Sequence, residues 1–251
     1  MAQIDRDRFL SMASCYDAMT PHLVPAYAFM QEVLIDELTF DSIDPMVILD
    51  LGAGSGRLIE LFLKRFPESQ CIWLDSSPDF LDVAKRRLAN YDDRVTFLTR
   101  AFADDWESDL RFRPSAVVSS NAIHHLSNRN KRRLYLRCYR VVRKRGWFFN
   151  IDETSSPSDD AYRHHLKYWV HHVDRAKYEI PDNLRSEYDA WTKRFESWKI
   201  RNIETRGRKH EGDDIHASYT KQLRWLKQCG FKNVDVYAKR GLWTLMAGRK
   251  M

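Results

Sequence analysis

The chain has 251 residues, of which 43% are hydrophobic, and this is typical of one α/β domain with additions or of two small domains. The N-terminal stretch "MAQIDRDRFL" carries charges too early for a secretory signal, and no apolar run reaches the roughly 18 residues of a membrane span, so we expect a cytoplasmic protein without a membrane partner. The 4 cysteines lie far apart with no C-x-x-C pair, which favours reduced thiols over a disulfide framework or a zinc site.

The formal net charge of +6 is unevenly distributed along the chain. Residues 1–126 hold 12 Lys and Arg against 20 Asp and Glu, a net of −8, whereas residues 127–251 hold 29 against 15, a net of +14. A basic half can face nucleic acid, a membrane surface or an anionic small molecule, and it can equally serve solubility alone.

The first half of the chain alternates between helical and strand patterns, which favours a mostly parallel sheet. Residues 5–18 and 24–38 have helical patterns. Two further helices are predicted over "GRLIELFLKRF" and "SPDFLDVAKRRLANY", the second with Ser77 and Pro78 at its cap and first turn. The predicted strands are "MVILDL", "QCIWLD", "RVTFLTR" and "SAVVSS".

The second half continues this alternation and then departs from it. A helix over "NRNKRRLYLRCYRVVRKR" is predicted to end near Gly146, before the strand "WFFNID". Residues 157–201 form two long amphipathic helices rich in His, Trp and Tyr. After the helix "YTKQLRWLKQCG", the runs "NVDVYAK" and "LWTLMAGR" are predicted to form a hairpin.

The stretch "VILDLGAGSGRL" places three glycines, Gly52, Gly54 and Gly56, between a strand and a helix. Glycine permits positive φ and removes the Cβ that would hold a ligand away, and a helix N-terminus offers free N–H groups. The spacing differs from the G-x-G-x-x-G of dinucleotide folds, and no G-K-[ST] follows as in a P-loop. We therefore expect part of a nucleoside-type ligand to lie against the bare backbone of this loop.

A second signal is Asp75, which ends the second strand 19 residues after Gly56. A carboxylate at the tip of this strand can accept hydrogen bonds from both hydroxyls of a ribose. The acid and the glycine loop together favour a nucleoside-type ligand over a merely structural turn.

The segments "LDLGAGSG", "WLDSSPDFLDVAKRRL", "VVSSNAIHHL" and "CGFKNVDVY" together resemble class I S-adenosylmethionine-dependent methyltransferases, most closely small bacterial and archaeal members with an "IHHL" segment. The resemblance runs from about Phe9 to Arg249. It implies a doubly wound, Rossmann-like α/β fold whose seven-stranded sheet is mostly parallel, with one antiparallel strand from the final hairpin. On this basis the chain divides into an N-terminal helical cap (1–40), a cofactor-binding core (41–154), a helical acceptor-site insertion (155–216), and a final helix and hairpin (217–251).

The resemblance also implies a cofactor, S-adenosyl-L-methionine, with S-adenosyl-L-homocysteine as product, and a set of residues that hold it. The loop would cradle the methionyl part and Asp75 the ribose. At the usual adenine-binding acid this chain has Ala101, so the Phe102 N–H, Asp104 or Asp105 are the substitutes. The expected cofactor residues are Tyr16, Asp50, Gly52, Ala53, Gly54, Gly56, Asp75, Ser76, Ala101, Phe102, Ser119 and Asn121.

Two histidines, His124 and His125, follow the fourth strand where it opens toward the cofactor, and we take them as candidate catalytic residues. Neutral imidazole is a plausible general base near pH 7, and a carboxylate acceptor would need no base. An alternative is that His125 only hydrogen-bonds the backbone. The nucleic-acid amino-methylating signature [DNS]-P-P-[YFW] is absent.

Acceptor choice is expected to depend on residues 155–216. One face of the first helix carries apolar residues at helical spacing, and the histidine pairs His164/His171 and His165/His172 are seven apart, too far for a two-ligand clamp, so we expect no metal. A second apolar stripe follows in the next helix. These stripes are either core or the lining of an acceptor pocket. The expected acceptor residues are Arg163, His165, Tyr168, Trp169 and His172.

The leading hypothesis is O- or N-methylation of a small molecule, with an acidic or an aromatic metabolite as the candidate acceptor. An RNA (tRNA)-modifying methyltransferase is the alternative that the basic half suggests, although no appended RNA-binding module is present. A non-catalytic S-adenosylmethionine-binding protein and a nicotinamide enzyme are further alternatives. The basic stripe Arg133, Arg137, Arg140 and Lys144 is expected to be a solvated helix surface, and the oligomeric state stays open.

Overall fold

A computed structural model describes residues 13–41, 45–205, 209–210 and 212–251. Two N-terminal helices, α1 (Ala13–Leu23) and α2 (Tyr27–Asp41), precede the sheet. The first predicted helix began at residue 5, and its residues 5–12 lie outside the described part of the chain.

A seven-stranded sheet forms the centre of the molecule, with strand order β3-β2-β1-β4-β5-β7-β6. The first five strands pair in parallel, and β7 is antiparallel to both of its neighbours, which confirms the predicted topology. The strands are β1 (Val47–Leu51), β2 (Gln70–Asp75), β3 (Val95–Thr99), β4 (Ala116–Ser120), β5 (Trp147–Glu153), β6 (Lys232–Arg240) and β7 (Trp243–Arg249).

Helices connect the strands and cover the sheet. They are α3 (Arg57–Arg65), α4 (Pro78–Arg87), α5 (Asn128–Val141), α6 (Asp159–Ala176), α7 (Arg185–Lys199) and α8 (Tyr219–Cys229). Ser77 caps α4 as the sequence predicted, because its hydroxyl accepts a hydrogen bond from the Phe80 N–H at 3.2 Å. A π-helical turn, Ile200–Glu204, extends α7.

Helix α5 is shorter than the sequence predicted, since it ends at Val141 and not near Gly146. The backbone must turn there to bring Trp147 into β5. The Arg143 N–H donates to the Pro114 carbonyl at 2.9 Å, and Arg145 adopts a φ of 63°. A Cβ at Gly146 would lie 2.6 Å from the Ser115 carbonyl oxygen, so a side chain does not fit at this turn.

Two apolar cores lie on opposite faces of the sheet. One is covered by α1, α2, α3, α6 and α7, and the other by α5 and α8. The strand order reverses between β1 and β4, so a crevice opens at the carboxyl ends of these neighbours, the usual ligand site of an open α/β sheet. Helices α1, α6 and α7 lie over one side of this crevice and close it from above.

Candidate active site

A cavity of about 540 Å³ occupies the crevice at the carboxyl ends of β1, β2 and β4. One part of its wall comes from the glycine loop and the tip of β2. The other part comes from α1, α7, the two histidines after β4, and the segment around Asp214. Such a volume suits a small-molecule ligand of the sheet's central crevice.

The three glycines of the loop all have positive φ, of +69° at Gly52, +51° at Gly54 and +77° at Gly56. A Cβ at Gly52 would lie 2.4 Å from Ala122, and one at Gly56 would lie 2.9 Å from Leu88. At these two positions the protein's own packing therefore demands glycine, which corrects the expectation that each missing side chain makes room for a ligand. At Gly54 the added atom would meet only the Phe80 ring, at 3.9 Å, and Gly54 lines the cavity together with Gly52 and Ala53.

Asp75, at the end of β2, fixes the shape of this loop. Its Oδ2 accepts a hydrogen bond from the Gly54 N–H at 2.9 Å, and its Oδ1 accepts one from the Ser77 N–H at 2.9 Å. Asp75 and Ser76 also line the cavity, so the carboxylate that holds the loop is part of its wall.

Asp50 is a buried carboxyl group in the cavity wall, only 2% exposed. Among the described residues its Oδ1 has no hydrogen-bond partner. Burial and, secondarily, the charge of Asp75 raise the pKa of Asp50 to about 8. The wall therefore holds a carboxyl group whose ionised form is disfavoured unless a cation or a hydrogen-bond donor binds to it.

The loop after β3 lines the cavity with Arg100, Phe102 and Ala103. Ala101 is absent from this wall; its N–H donates to the Asp104 carboxylate at 2.7 Å, so Asp104 holds the turn. Arg137 of α5 also fixes this loop. It donates to the carbonyls of Phe102 and Asp104, pairs with Glu107 at 2.8 Å and stacks 4.4 Å over the Trp106 ring.

These contacts show that Arg137 is not part of a merely solvated basic stripe, contrary to the sequence expectation. The residue is only partly exposed because the loop that it binds folds back from β3 onto α5. Lys144 lies beyond the end of α5 and so does not continue the stripe on that helix.

Of three further expected cofactor residues, two line the cavity and one lies beneath its wall. Tyr16 of α1 lines the cavity, with its ring edge-on to Phe80 at 5.7 Å. Asn121 also lines it, at a φ of 54°, and its Oδ1 accepts a hydrogen bond from Trp243 at 2.7 Å. Ser119 lies beneath the wall, fully buried, and its hydroxyl donates to the Leu51 carbonyl at 2.7 Å.

The two histidines after β4 meet two aspartates that sequence reasoning did not identify. His124 Nδ1 lies 2.6 Å from Asp152 Oδ1, and its Nε2 lies 3.7 Å from Asp214 Oδ1. His125 Nδ1 also lies 3.7 Å from Asp214 Oδ1. His124, His125 and Asp214 all line the cavity, and their donor atoms lie within 4.8 Å of one another, close enough to hold a metal ion.

The charges of this cluster are strongly coupled. Burial alone would lower the pKa of His124, but the carboxylates of Asp152 and Glu153 raise it to about 9. Burial and the neighbouring His124 lower the pKa of His125 to about 4. Burial opposes ionisation of Asp214, yet the surrounding histidines hold the pKa of its carboxyl below the usual value. The cluster therefore favours positive charge between its carboxylates.

Helices α6 and α7 supply an aromatic wall to the cavity, formed by Trp169, Trp191, Phe195 and Trp198. The Phe195 and Trp198 rings are stacked at 5.0 Å, and Trp169 meets Trp198 edge-on at 4.3 Å. Arg194 and Arg201 line the same part of the cavity.

Of the expected acceptor residues, Trp169 lines this wall and the other four make contacts elsewhere. His165 hydrogen-bonds with Ser156 at 3.0 Å, and His172 Nε2 donates to the His22 carbonyl at 3.1 Å. The Tyr168 hydroxyl accepts from Arg240 at 2.8 Å, and Arg163 pairs with Asp160. The four are not among the residues that line the cavity.

Residues 48–146 match the family model described as "Methyltransferase domain". Two curated relatives are a malonyl-[acyl-carrier protein] O-methyltransferase of Halalkalibacterium halodurans, 32% identical over 120 residues, and a trans-aconitate 2-methyltransferase of Acidovorax sp., 50% identical over 60 residues. The matches cover 46% and 24% of this chain and 42% and 22% of the relatives, so the chain spans less than half the length of each. Residues 48–146 therefore form a methyltransferase domain of the class I S-adenosylmethionine-dependent type.

Solved structures of methyltransferases share the fold over nearly the whole chain. An O-methyltransferase family protein from Burkholderia thailandensis has a TM-score of 0.61 at 17% identity, covering 98% of this chain and 59% of that one. Human N-acetylserotonin methyltransferase in complex with S-adenosylmethionine has a TM-score of 0.55 at 13% identity, covering 100% and 56%. In the described part of this methyltransferase, no helix combines the length and apolar character needed to cross a bilayer.

Asp50 generates a prediction about stability and pH. Its folded-state pKa of about 8 lies above the ordinary value of 3.8, so the folded state binds its proton more tightly than the unfolded state. The stabilisation is complete below pH 4 and is lost as the pH rises toward 8. Without cofactor, the Asp50→Asn variant should lose less stability than the wild type between pH 6 and pH 8.5, measured by urea unfolding.

The charge of Asp75, in the same wall, acts on Asp50. Burial raises the pKa of Tyr27 to about 12 and that of Cys71 well above 9, so neither group titrates between pH 6 and pH 8.5. Asp82→Asn, at an exposed position of α4, is the matched control and should keep the wild-type slope. Parallel pH profiles for the wild type and Asp50→Asn would contradict the assignment.

Proposed function

We propose that this methyltransferase transfers the methyl group of S-adenosylmethionine to a small aromatic acceptor that carries an anionic group. The observation that supports it is the shared cavity: one continuous wall includes Gly54, Asp75, the two histidines and the aromatic residues of α6 and α7. Cofactor and acceptor then meet in one enclosed space, as an in-line displacement requires.

The cavity wall offers groups that fit the cofactor. Asp75 lines the cavity at the tip of β2, where a carboxylate can accept hydrogen bonds from ribose hydroxyls. Asp50 presents a buried oxygen without a partner among the described residues, which suits the cofactor's ammonium group. Phe102 and Ala103 provide the surface for the adenine ring, and Tyr16, Ser76 and Asn121 complete the wall. When bound, the cofactor supplies an activated sulfonium methyl group.

The aromatic wall favours a flat acceptor. Trp191 and Phe195 are stacked at 4.9 Å and Phe195 and Trp198 at 5.0 Å, so the face of α7 that lines the cavity is a continuous series of rings. Aromatic rings prefer offset-stacked or edge-to-face neighbours, and each such pair contributes about 0.5–1.5 kcal/mol beyond burial. An aromatic acceptor can use these contacts, whereas a polar chain cannot.

Donors in the same wall favour an anionic group on that acceptor. Within the described part of the chain, neither Arg194 Nη1 nor Trp198 Nε1 has a hydrogen-bond partner, although both atoms are buried. Arg201 lies one π-helical turn further on and contacts Asp213 only at 3.7 Å. A buried donor left without an acceptor is costly, and a carboxylate on the acceptor would satisfy these groups.

The reacting atom of the acceptor would lie beside His124 and His125, the titratable side chains that the cavity brings near the tip of β4. In the transfer, a nucleophilic atom of the acceptor forms the bond to the methyl carbon, and the electron pair of the broken S–C bond stays on sulfur. A hydroxyl acceptor loses its proton to the site or to water. Positioning alone can account for roughly 7–11 kcal/mol of barrier lowering in such reactions. The names of the relatives, an O-methyltransferase and a trans-aconitate methyltransferase, support an oxygen atom as acceptor.

The decisive experiment supplies isotopically labelled S-adenosylmethionine with a panel of hydroxylated aromatic acids, their matched neutral amides, and bulk tRNA. We expect label in the acids, with Arg194→Gln lowering kcat/KM for them about 10–100-fold and leaving the amides nearly unchanged, since hydrogen bonds to charged groups contribute about 1.5–3 kcal/mol. Arg224→Gln, on α8 outside the cavity, is the control. Labelled tRNA without any labelled small molecule would refute the proposal in favour of RNA modification.

A separate prediction concerns cofactor binding. Asp75→Asn keeps the size of the side chain but removes its charge and one acceptor oxygen, so S-adenosylhomocysteine should bind about 10–100-fold more weakly by titration calorimetry. Asp82→Asn should bind like the wild type. Unchanged affinity in a folded Asp75→Asn variant would exclude the ribose assignment.

The aromatic wall makes a third prediction. Trp191→Leu should raise KM for the aromatic acceptors that the panel identifies, by about 3–10-fold from the loss of ring contacts, and leave S-adenosylhomocysteine affinity unchanged. Trp225→Leu removes a partly buried ring of the same size in the other core and serves as the control. Equal effects of the two substitutions on KM would show that Trp191 acts only through stability.

A further inference from the structure

Three potential metal ligands from two separate segments face one another in the acceptor part of the cavity: His124 Nε2, His125 Nδ1 and Asp214 Oδ1. Both histidine nitrogens lie 3.7 Å from the same carboxylate oxygen. We propose that these three side chains bind a divalent first-row transition-metal ion of the Zn²⁺ type, with its remaining coordination positions open to the cavity. The sequence analysis expected no metal because it considered the cysteines and the histidine pairs of α6, and not His124 and His125 together with Asp214.

The spacing suits ligation better than direct hydrogen bonding. A separation of 3.7 Å is too long for an N–H···O hydrogen bond, whose usual limit is about 3.2 Å. Two ligands at about 2.1 Å from a tetrahedral ion are separated by about 3.4 Å. The three side chains therefore surround a space of the size that an ion occupies, and small rotations would complete the ligand geometry.

The surroundings orient the ligands toward this space. Asp152 accepts the Nδ1–H of His124 at 2.6 Å, so Nε2 is the nitrogen that can bind an ion once the ion displaces its proton. A carboxylate bonded to the far side of a ligand histidine is the usual support of a metal site. The Ile215 N–H also donates to the His124 carbonyl at 2.9 Å, and the Gly212 N–H to the His125 carbonyl at 3.1 Å, so backbone bonds join the two segments on both sides of Asp214.

The fully buried Lys131 strengthens this connection. Its ammonium group donates to the carbonyls of His124 at 3.0 Å and Ile215 at 2.9 Å, and also to that of Leu126. These hydrogen bonds of the Lys131 ammonium group are thus to backbone oxygens of both segments and not to the side chain of Asp214. The ligands are fixed in position before any ion binds, which lowers the conformational entropy lost on binding.

The local charges favour a cation. Asp152 and Asp214 are both buried, and Glu153, which lines the same cavity, is paired with His216 at 2.8 Å. Arg201 and Lys209 also act on Asp214 electrostatically, while their polar contacts are with Asp213, 3.7 Å from Arg201, and with the Asn202 side chain, to which Lys209 donates at 2.6 Å. The only hydrogen bond that reaches Asp214 from the described residues is a long one, 3.5 Å from Asn202.

Two imidazoles and one carboxylate are a ligand set of catalytic Zn²⁺ and Fe²⁺ sites, which keep open positions for water or substrate. All three ligands line the cavity, so the open positions would face the acceptor. There the ion would hold an acceptor oxygen and stabilise its deprotonated form, while the O–H proton leaves to water. This catalytic role rests on the proposed methyl transfer, but the binding of the ion does not.

The test uses the full chain, purified without a histidine tag and freed of metal by chelation, in the absence of cofactor and acceptor. Titration with Co²⁺, followed by its visible absorption bands, and with Zn²⁺ by calorimetry should show one ion per chain. His125→Gln and Asp214→Asn should each weaken binding at least 100-fold. Asp152→Asn should weaken it about 10–100-fold, as expected for a residue that supports a ligand histidine.

Two controls keep the result independent of folding and of the proposed reaction. His164→Gln and His171→Gln, at exposed positions of α6, should bind Co²⁺ like the wild type. S-adenosylhomocysteine affinity should stay at the wild-type level in His125→Gln, which shows that the fold is intact. Absence of a stoichiometric ion in the wild type, or equal Co²⁺ affinity in wild type and the two ligand variants, overturns the metal site. Failure to methylate any small molecule would contradict only the proposed function.

Discussion

The buried ammonium group of Lys131 links the two segments that carry the histidines and Asp214 of the cavity wall. Its hydrogen bonds to carbonyls at His124, Leu126 and Ile215 connect the turn after β4 to the segment that returns from the helical insertion. A buried charge is stable only when it is fully hydrogen-bonded, so these two segments must lie side by side. The juxtaposition of His124, His125 and Asp214 follows from this requirement.

A second set of long-range contacts joins the insertion to the N-terminal helices and so determines how the cavity is closed. The Trp169 indole N–H donates to the Leu23 carbonyl at 2.8 Å, and the Cys15 thiol to the Glu187 carbonyl at 3.2 Å. Asp17 in turn pairs with Arg57 at 2.6 Å and Arg87 at 2.7 Å, which attaches α1 to the helices of the cofactor half. Helix α1 therefore contacts both halves of the cavity, and a displacement of α1 would alter the cofactor and acceptor walls together.

The sequence was sufficient for the fold, and for bringing the glycine loop and Asp75 to one edge of the sheet, because the relevant signals are local. Buried strands alternate with amphipathic helices, and the glycine loop and Asp75 are contiguous with their own strands. The role of Arg137 was missed since its partners in the loop after β3 lie 30 or more residues away, and periodicity alone presents it as one member of a solvated stripe. Likewise, packing against Ala122 and Leu88 explains two of the three glycines, which no local pattern reveals.

The acceptor half depends on residues that are distant in the sequence, so the pattern could identify His124 and His125 but not their partners. Asp152 is 28 residues from His124, and Asp214 lies beyond helices α5, α6 and α7. On α6, helical periodicity places Trp169 on an apolar face but does not tell which flanking polar residues face the cavity. The structure resolves this: His165 and His172 contact Ser156 and the His22 carbonyl.

The two halves of the cavity differ in the kind of polar group that each wall presents. Around Asp50 and Asp75 the wall offers oxygen atoms, which suit a cofactor that carries an ammonium and a sulfonium. Around Arg194 and Trp198 it offers N–H groups, which suit an acid. Methyl transfer removes the positive charge of the sulfonium and, for an anionic oxygen nucleophile, the negative charge of the acceptor. In a low-dielectric cavity, electrostatic attraction between the sulfonium and the anionic nucleophile brings the two reactants together. This attraction is lost after the transfer, because both products are neutral at the reacting atoms. The same arrangement of charges therefore favours both encounter of the substrates and separation of the products.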